Sequence, residues 1–274
     1  MPLTEMHRRV AAIALQAASG HGFALGGGNA LIQYGVISRP TQDVDLFTDQ
    51  EAGVLAAAGV VETALRAAGF GVDRQDMTAE LAGIFPGMGE GLAEWIITGP
   101  DDEQMALQLA YFDRARDPVV MDVGPVLDLE DVVGGKVCAL ASRAYERDYL
   151  DTAAALERYS PVELIGLARR LDPGLEDRDF AEAGQRLDHM PDSAFAPFGV
   201  TRQDVARLRE RFAAWPRDAE VADMEPEKCS DSGQPAENTP GRGAARASGE
   251  IAAGQPHGLR DAPQAEPEEP ENAG

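Results

Sequence analysis

The chain is short of lysine. Of its 24 basic residues, two are lysines, Lys136 and Lys228, and the rest are arginines. Where arginine serves almost everywhere, a lone lysine is a candidate for a place that wants a compact ammonium rather than a planar fork. Chance codon usage is the competing account. Cysteine is equally scarce. Cys138 and Cys229 lie far apart in sequence, so no disulfide framework is expected and a reducing cytoplasm fits. No stretch of about 18–20 apolar residues is present, and the N-terminus lacks a signal-like apolar run. A cytoplasmic protein with no membrane partner is expected. Positive charge is also scarce: 47 acidic residues face 24 basic ones, for a net charge of −23. Such a field opposes non-specific binding to nucleic acid or an anionic membrane, while leaving room for a local basic pocket. The four histidines have no metal-like spacing, and each reads as a surface or satisfied residue. Neither a Gly-x-Ser-x-Gly elbow nor a Cys/His pair argues for hydrolase chemistry.

What is there divides into three parts. From about residue 217 the chain is Pro, Gly, Ala, Glu and Asp with almost no branched apolar residue. It offers too little apolar surface to offset the entropy of ordering, so 217–274 is expected to be a disordered acidic tail. Residues 1–125 alternate helical and strand patterns, and 126–216 read as helices. In the first part, Thr4 caps a helix to about Ala18, Phe23–Leu25 is a short strand, and Asn29–Tyr34 a short helix. Asp43–Phe47 alternates polar and apolar residues, as a half-buried strand does. A helix from Thr48 or Asp49 to Ala68 follows. Val72–Met77, Ala79–Phe85, Glu94–Thr98 and Met105–Phe112 are further strand candidates. Asp128 caps a helix to about Ala144, which Arg147–Tyr159 continues or restarts, and three more helices lie at 162–171, 179–187 and 201–214.

Two constellations carry chemistry. The first is Leu25-Gly26-Gly27-Gly28-Asn29-Ala30, followed by Arg39-Pro40-Thr41-Gln42-Asp43-Val44-Asp45. Glycines between a strand and a helix free backbone N–H groups for an anion. Aspartates at i and i+2 on a strand share a face. Paired carboxylates are the hard oxygen donors that Mg²⁺ takes alongside substrate phosphates. The second constellation is Lys136-Val137-Cys138-Ala139-Leu140-Ala141-Ser142-Arg143, then Arg147-Asp148-Tyr149-Leu150-Asp151. On an unbroken helix, 136, 143, 147 and 151 fall within roughly 80° of one another. That gathers three cations on one face, with Arg147 and Asp151 as an i, i+4 pair. A salt-bridged helix surface is the alternative.

Together these motifs resemble the AbiEii/AbiGii-type toxin nucleotidyltransferases of the DNA polymerase β superfamily, over about residues 22–157. The resemblance implies an α/β fold, a nucleotidyltransferase-like mixed sheet with flanking helices and a helical region closing the cleft. It implies Mg²⁺-dependent transfer of a nucleotide from an NTP to an acceptor hydroxyl on RNA, tRNA or protein, in a toxin countered by an antitoxin protein. Asp43, Asp45, Lys136 and Asp148 are then the catalytic candidates. Gly27, Gly28, Asn29, Arg39, Thr41 and Arg143 are the nucleotide-binding ones. The superfamily often adds a third carboxylate on a later strand, where this chain has Gln108. Asp113, at that strand's end, is the candidate third metal ligand beside Asp43 and Asp45, and Asp122 a weaker one. Transfer to a small hydroxylated, aminoglycoside-like molecule is the second reading, and a degenerate nucleotide-binding module the third.

Overall fold

A computed structural model describes residues 3–75 and 91–218. The strand expected at Ala79–Phe85 and the tail beyond residue 218 lie outside the described residues.

Helix α1 (Glu5–Ala17) starts where Thr4 accepts a hydrogen bond from the His7 N–H, and it buries Met6, Val10, Ala11, Ala14 and Leu15 along one stripe. Strand β1 (Ala24–Leu25) leads through Gly26 into α2 (Gly27–Gln33). Strand β2 (Asp43–Thr48) buries Val44, Leu46 and Thr48 on one face, which turns Asp43 and Asp45 to the other. Helix α3 (Gly53–Ala67) begins later than expected, because Thr48 ends β2. Its hydroxyl donates to the His21 carbonyl at 2.6 Å instead of capping the helix. Strands β3 (Gly71–Arg74), β4 (Leu92–Thr98) and β5 (Gln104–Tyr111) follow. A hairpin of β6 (Val119–Met121) and β7 (Gly124–Val126) was not expected from sequence. Its strands are too short to show an alternating pattern.

The seven strands form one mixed sheet in the order β3-β4-β5-β2-β1-β7-β6. Strand β2 runs parallel to β5 and antiparallel to β1, so it lies inside the sheet. Trp95, Leu107, Leu109 and Leu46 are fully buried beneath it.

Helices α4 (Leu129–Ser142) and α5 (Glu146–Ala155) do not form one unbroken helix. Ala144 takes φ +51, a left-handed conformation that stops α4. Helix α5 restarts with Asp148 accepting from the Tyr145 N–H at 3.1 Å. Helices α6 (Pro161–Leu171), α7 (Asp177–His189) and α8 (Arg202–Arg211) complete the helical part. Ser160 with Glu163 and Thr201 with Asp204 form capping boxes at the starts of α6 and α8. Tyr149, Phe180, Phe195 and Phe212 are fully buried there. They belong to the same continuous apolar core as the sheet.

Candidate functional site

The β1–α2 turn passes hard against the aspartate strand. Gly27 has φ +58, and a Cβ there would lie 1.8 Å from Asp45 Oδ2. A Cβ on Gly28 would lie 2.6 Å from Thr41 Cγ2. Any other residue type would drive the turn off β2. The Gly26 N–H donates to the Asp45 carbonyl at 2.9 Å, which fixes the approach.

Asn29 is 1% exposed, and its amide is used on both sides. Its Nδ2 donates to the Asp43 carbonyl at 2.7 Å. Its Oδ1 accepts from the Thr41 hydroxyl. Asn29 and Thr41 thereby tie the start of α2 to the segment entering β2.

The Asp43 and Asp45 carboxylates make no hydrogen bond or ion pair with any described residue. Burial, and then the neighbouring Asp43 charge, push the Asp45 carboxyl up to about 7; Lys136, Arg147 and Arg143 pull the other way. The charges of those three cations thus reach Asp45 even though the helix carrying them is broken. Burial lowers the pKa of nearby His7, against the pull of Asp43 and Glu103. His7 is a buried residue with no partner for Nε2 among the described residues, not a surface or satisfied one.

The helical wall pairs its acids internally. Asp151, with a fully buried side chain, accepts from Arg39 Nε and Nη2 at 3.1 and 2.6 Å, and Lys136 Nζ lies 2.9 Å from its other oxygen. Burial opposes its charge, but Lys136 and Arg39 outweigh that and hold the carboxyl below its ordinary value. The expected Arg147–Asp151 pair does not form, because Asp151 is already shared by two other cations. Arg143 makes a bidentate pair with Asp148 at 2.9 and 3.0 Å, and Asp148 is fully buried. Through this pair Asp148 holds the Arg143 guanidinium in place. Arg147 alone of the three cations whose charge reaches Asp45 makes no hydrogen bond or ion pair among the described residues. Sequence reasoning placed it on the right face without assigning it to the site.

Asp113 does not join the aspartate pair. It is exposed and lies five residues beyond Gln108, which is level with Asp45. That is about 16 Å along an extended strand. Asp122 is exposed in the turn joining the outermost strand β6 to β7. A different acid shares the row. Gln108 pairs with Asp45 on one side and with Glu94 on the other, so all three side chains lie on one face of the sheet. Glu94 is half-buried, and burial followed by the Asp43 charge raises its pKa. It was missed because a single glutamate in an apolar strand carries no motif.

A glycine turn closed over an interior strand bearing two acids, with cations whose charge reaches Asp45, is the architecture of a nucleotidyltransferase. The chain belongs to the nucleotidyl transferase AbiEii toxin family of type IV toxin–antitoxin systems, whose family model matches residues 10–227. The solved structure of MenT4, a nucleotidyltransferase toxin from Mycobacterium tuberculosis, is similar in fold. It is 16% identical, with 80% of this chain and 84% of that one covered and a TM-score of 0.51. JHP933 from Helicobacter pylori is 14% identical, with 76% of this chain and 91% of that one covered and a TM-score of 0.47. No curated protein matches the chain. No helix among the described residues is long and apolar enough to cross a membrane.

Proposed function

We propose that the protein moves a nucleotide from an NTP to an acceptor hydroxyl of RNA, tRNA or protein, with Mg²⁺ as cofactor, and that an antitoxin counters it. The observation that carries this reading is the pair Asp43 and Asp45, two acids on one face that no cation among the described residues pairs with directly. Asp45 is held near neutrality by burial and by Asp43, a repulsion that a divalent cation relieves. Among the described residues no cluster of three or more His, Cys, Asp or Glu is arranged to hold a metal. Two carboxylates are what Mg²⁺ usually takes from protein when phosphates supply the rest. Once bound, the ion would neutralise charge on the leaving pyrophosphate.

The protein groups divide the remaining work. Gly27 and Gly28 let the turn's backbone lie close against β2, so that its N–H groups would meet the triphosphate beside the aspartates. Arg147, with no hydrogen-bonded or ion-paired partner among the described residues, binds its phosphates. Asp148 holds Arg143, and Asp151 holds Lys136 and Arg39, so that the cationic wall keeps its shape while its field favours ionised Asp45. Residues 126–216 act as the part that closes the cleft over the core formed by 1–125. The acceptor oxygen attacks the α-phosphate, a new P–O bond forms, and the bond to pyrophosphate breaks.

The test is to incubate the pure protein with each α-labelled NTP, Mg²⁺ and total cell RNA. Label is expected in a discrete RNA band, which assigns an RNA acceptor, or in protein, which assigns a protein hydroxyl. No transfer and no pyrophosphate exchange with any NTP would sink the reading. The net charge of −23 favours a second reading, a small hydroxylated, aminoglycoside-like acceptor. An RNA acceptor predicts a rate that falls steeply with salt, and a small one does not. A degenerate module that acts only by binding predicts that Asp43→Ala leaves its cellular effect intact.

A further inference from the structure

The strand that pairs with β2 carries Gln108 where a third acid was expected, and the next strand out carries Glu94 in the same row. We propose that Glu94 is the third carboxylate of the site, and that it acts on the cation across Gln108, through the ion's retained water rather than as a direct ligand. This rests on the metal reading given above.

Three observations support the assignment. The first is register. Asp45, Gln108 and Glu94 are successive partners across β2, β5 and β4, so their side chains rise from one face. Adjacent strands lie about 4.8 Å apart, which puts the Glu94 backbone about 10 Å from that of Asp45. That separation is too wide for a shared inner shell, in keeping with the lack of a three-residue metal cluster among the described residues. It suits a long side chain reaching the water that Mg²⁺ gives up reluctantly. The second is Gln108 itself. It is 9% exposed, and its amide makes no hydrogen bond with any described residue. An amide with no bond to a described residue, on a side chain that is nine-tenths buried, is free to bond a polar occupant on that face. The third is that the Glu94 carboxylate also makes no hydrogen bond or ion pair among the described residues. The Asp43 charge reaches it, so the two acids share one field.

The experiment titrates Mn²⁺ alone into the full-length protein, with free Mn²⁺ read by electron paramagnetic resonance. Wild type, Glu94→Gln, Asp43→Asn and Glu103→Gln are compared. Glu103 is exposed, and like Asp43 its charge is felt at His7; its removal therefore reports the long-range charge effect alone. Glu94→Gln is expected to bind at least tenfold more weakly than wild type, and Glu103→Gln within twofold of it. Glu94→Ala repeats the test in case the amide misfolds, and thermal melts check each variant. Binding by Glu94→Gln within twofold of wild type, with Asp43→Asn impaired, overturns the role of Glu94 and leaves the metal reading standing. Absence of Mn²⁺ binding by the wild type overturns both.

Discussion

The two walls of the cleft use the same residue type in opposite ways. On the sheet, Asp43 and Asp45 have no hydrogen-bonded or ion-paired partner among the described residues, and burial drives Asp45 toward its neutral form. On the helices, Asp148 and Asp151 are fully buried, where Asp43 and Asp45 are half-buried, yet each is bound by cations within 3.1 Å. Buried carboxylates with partners are scaffold, because removing either member strands a charge. Half-buried carboxylates packed side by side without partners are costly to the fold, and a cost that persists marks a site for something the protein has yet to bind.

That contrast can be broken at either wall. The largest effect is expected at Asp45. Asp45→Asn should lower nucleotide transfer by about 10³-fold or more, since charge stabilisation of the leaving group is lost, without lowering the melting temperature. A transfer rate near wild type would end the distinction between the walls. At the other wall, Asp151→Asn should destabilise the protein by about 3–5 kcal/mol, because Arg39 and Lys136 lose their shared partner. Denaturant melts measure it, and a change below about 1 kcal/mol would show that the triad is not scaffold. Arg147→Ala should weaken NTP binding roughly tenfold, as loss of a charged hydrogen bond does, with an unchanged melt. Isothermal titration decides between that outcome and a purely structural arginine. The smallest effect is expected at Asn29→Ala, which removes two bonds that hold the entry to β2 and should cost about 1–3 kcal/mol of stability.

The sequence made the aspartate strand and its glycine turn legible because both are local. Alternation over six residues sets the face of Asp43 and Asp45, and neighbouring glycines allow the turn. The helical wall was legible as a gathering of charge but not as a set of pairs. Periodicity on an unbroken helix joined Arg147 to Asp151, whereas Ala144 breaks that helix and Arg39, from more than a hundred residues away in sequence, takes the carboxylate. Asn29 and Thr41 look like ligand-facing polar residues in one dimension, and their bond to each other is not legible there. Glu94 was invisible for the same reason. Its place beside Gln108 and Asp45 is set by strand register, which pairs segments far apart in the chain.

The most direct test of the unneutralised wall is the melting temperature of metal-free protein between pH 4 and pH 8, for wild type and Asp45→Asn. The folded-state Asp45 carboxyl sits at about 7 against an ordinary 3.8. Its contribution is therefore fully present below about pH 4 and lost as pH rises through about 7, on the order of 2–4 kcal/mol. Wild type should lose stability over that window relative to Asp45→Asn, and Mg²⁺ at pH 8 should restore wild type while leaving the variant unmoved. Parallel curves for the two proteins, with no response of wild type to Mg²⁺, would contradict the account.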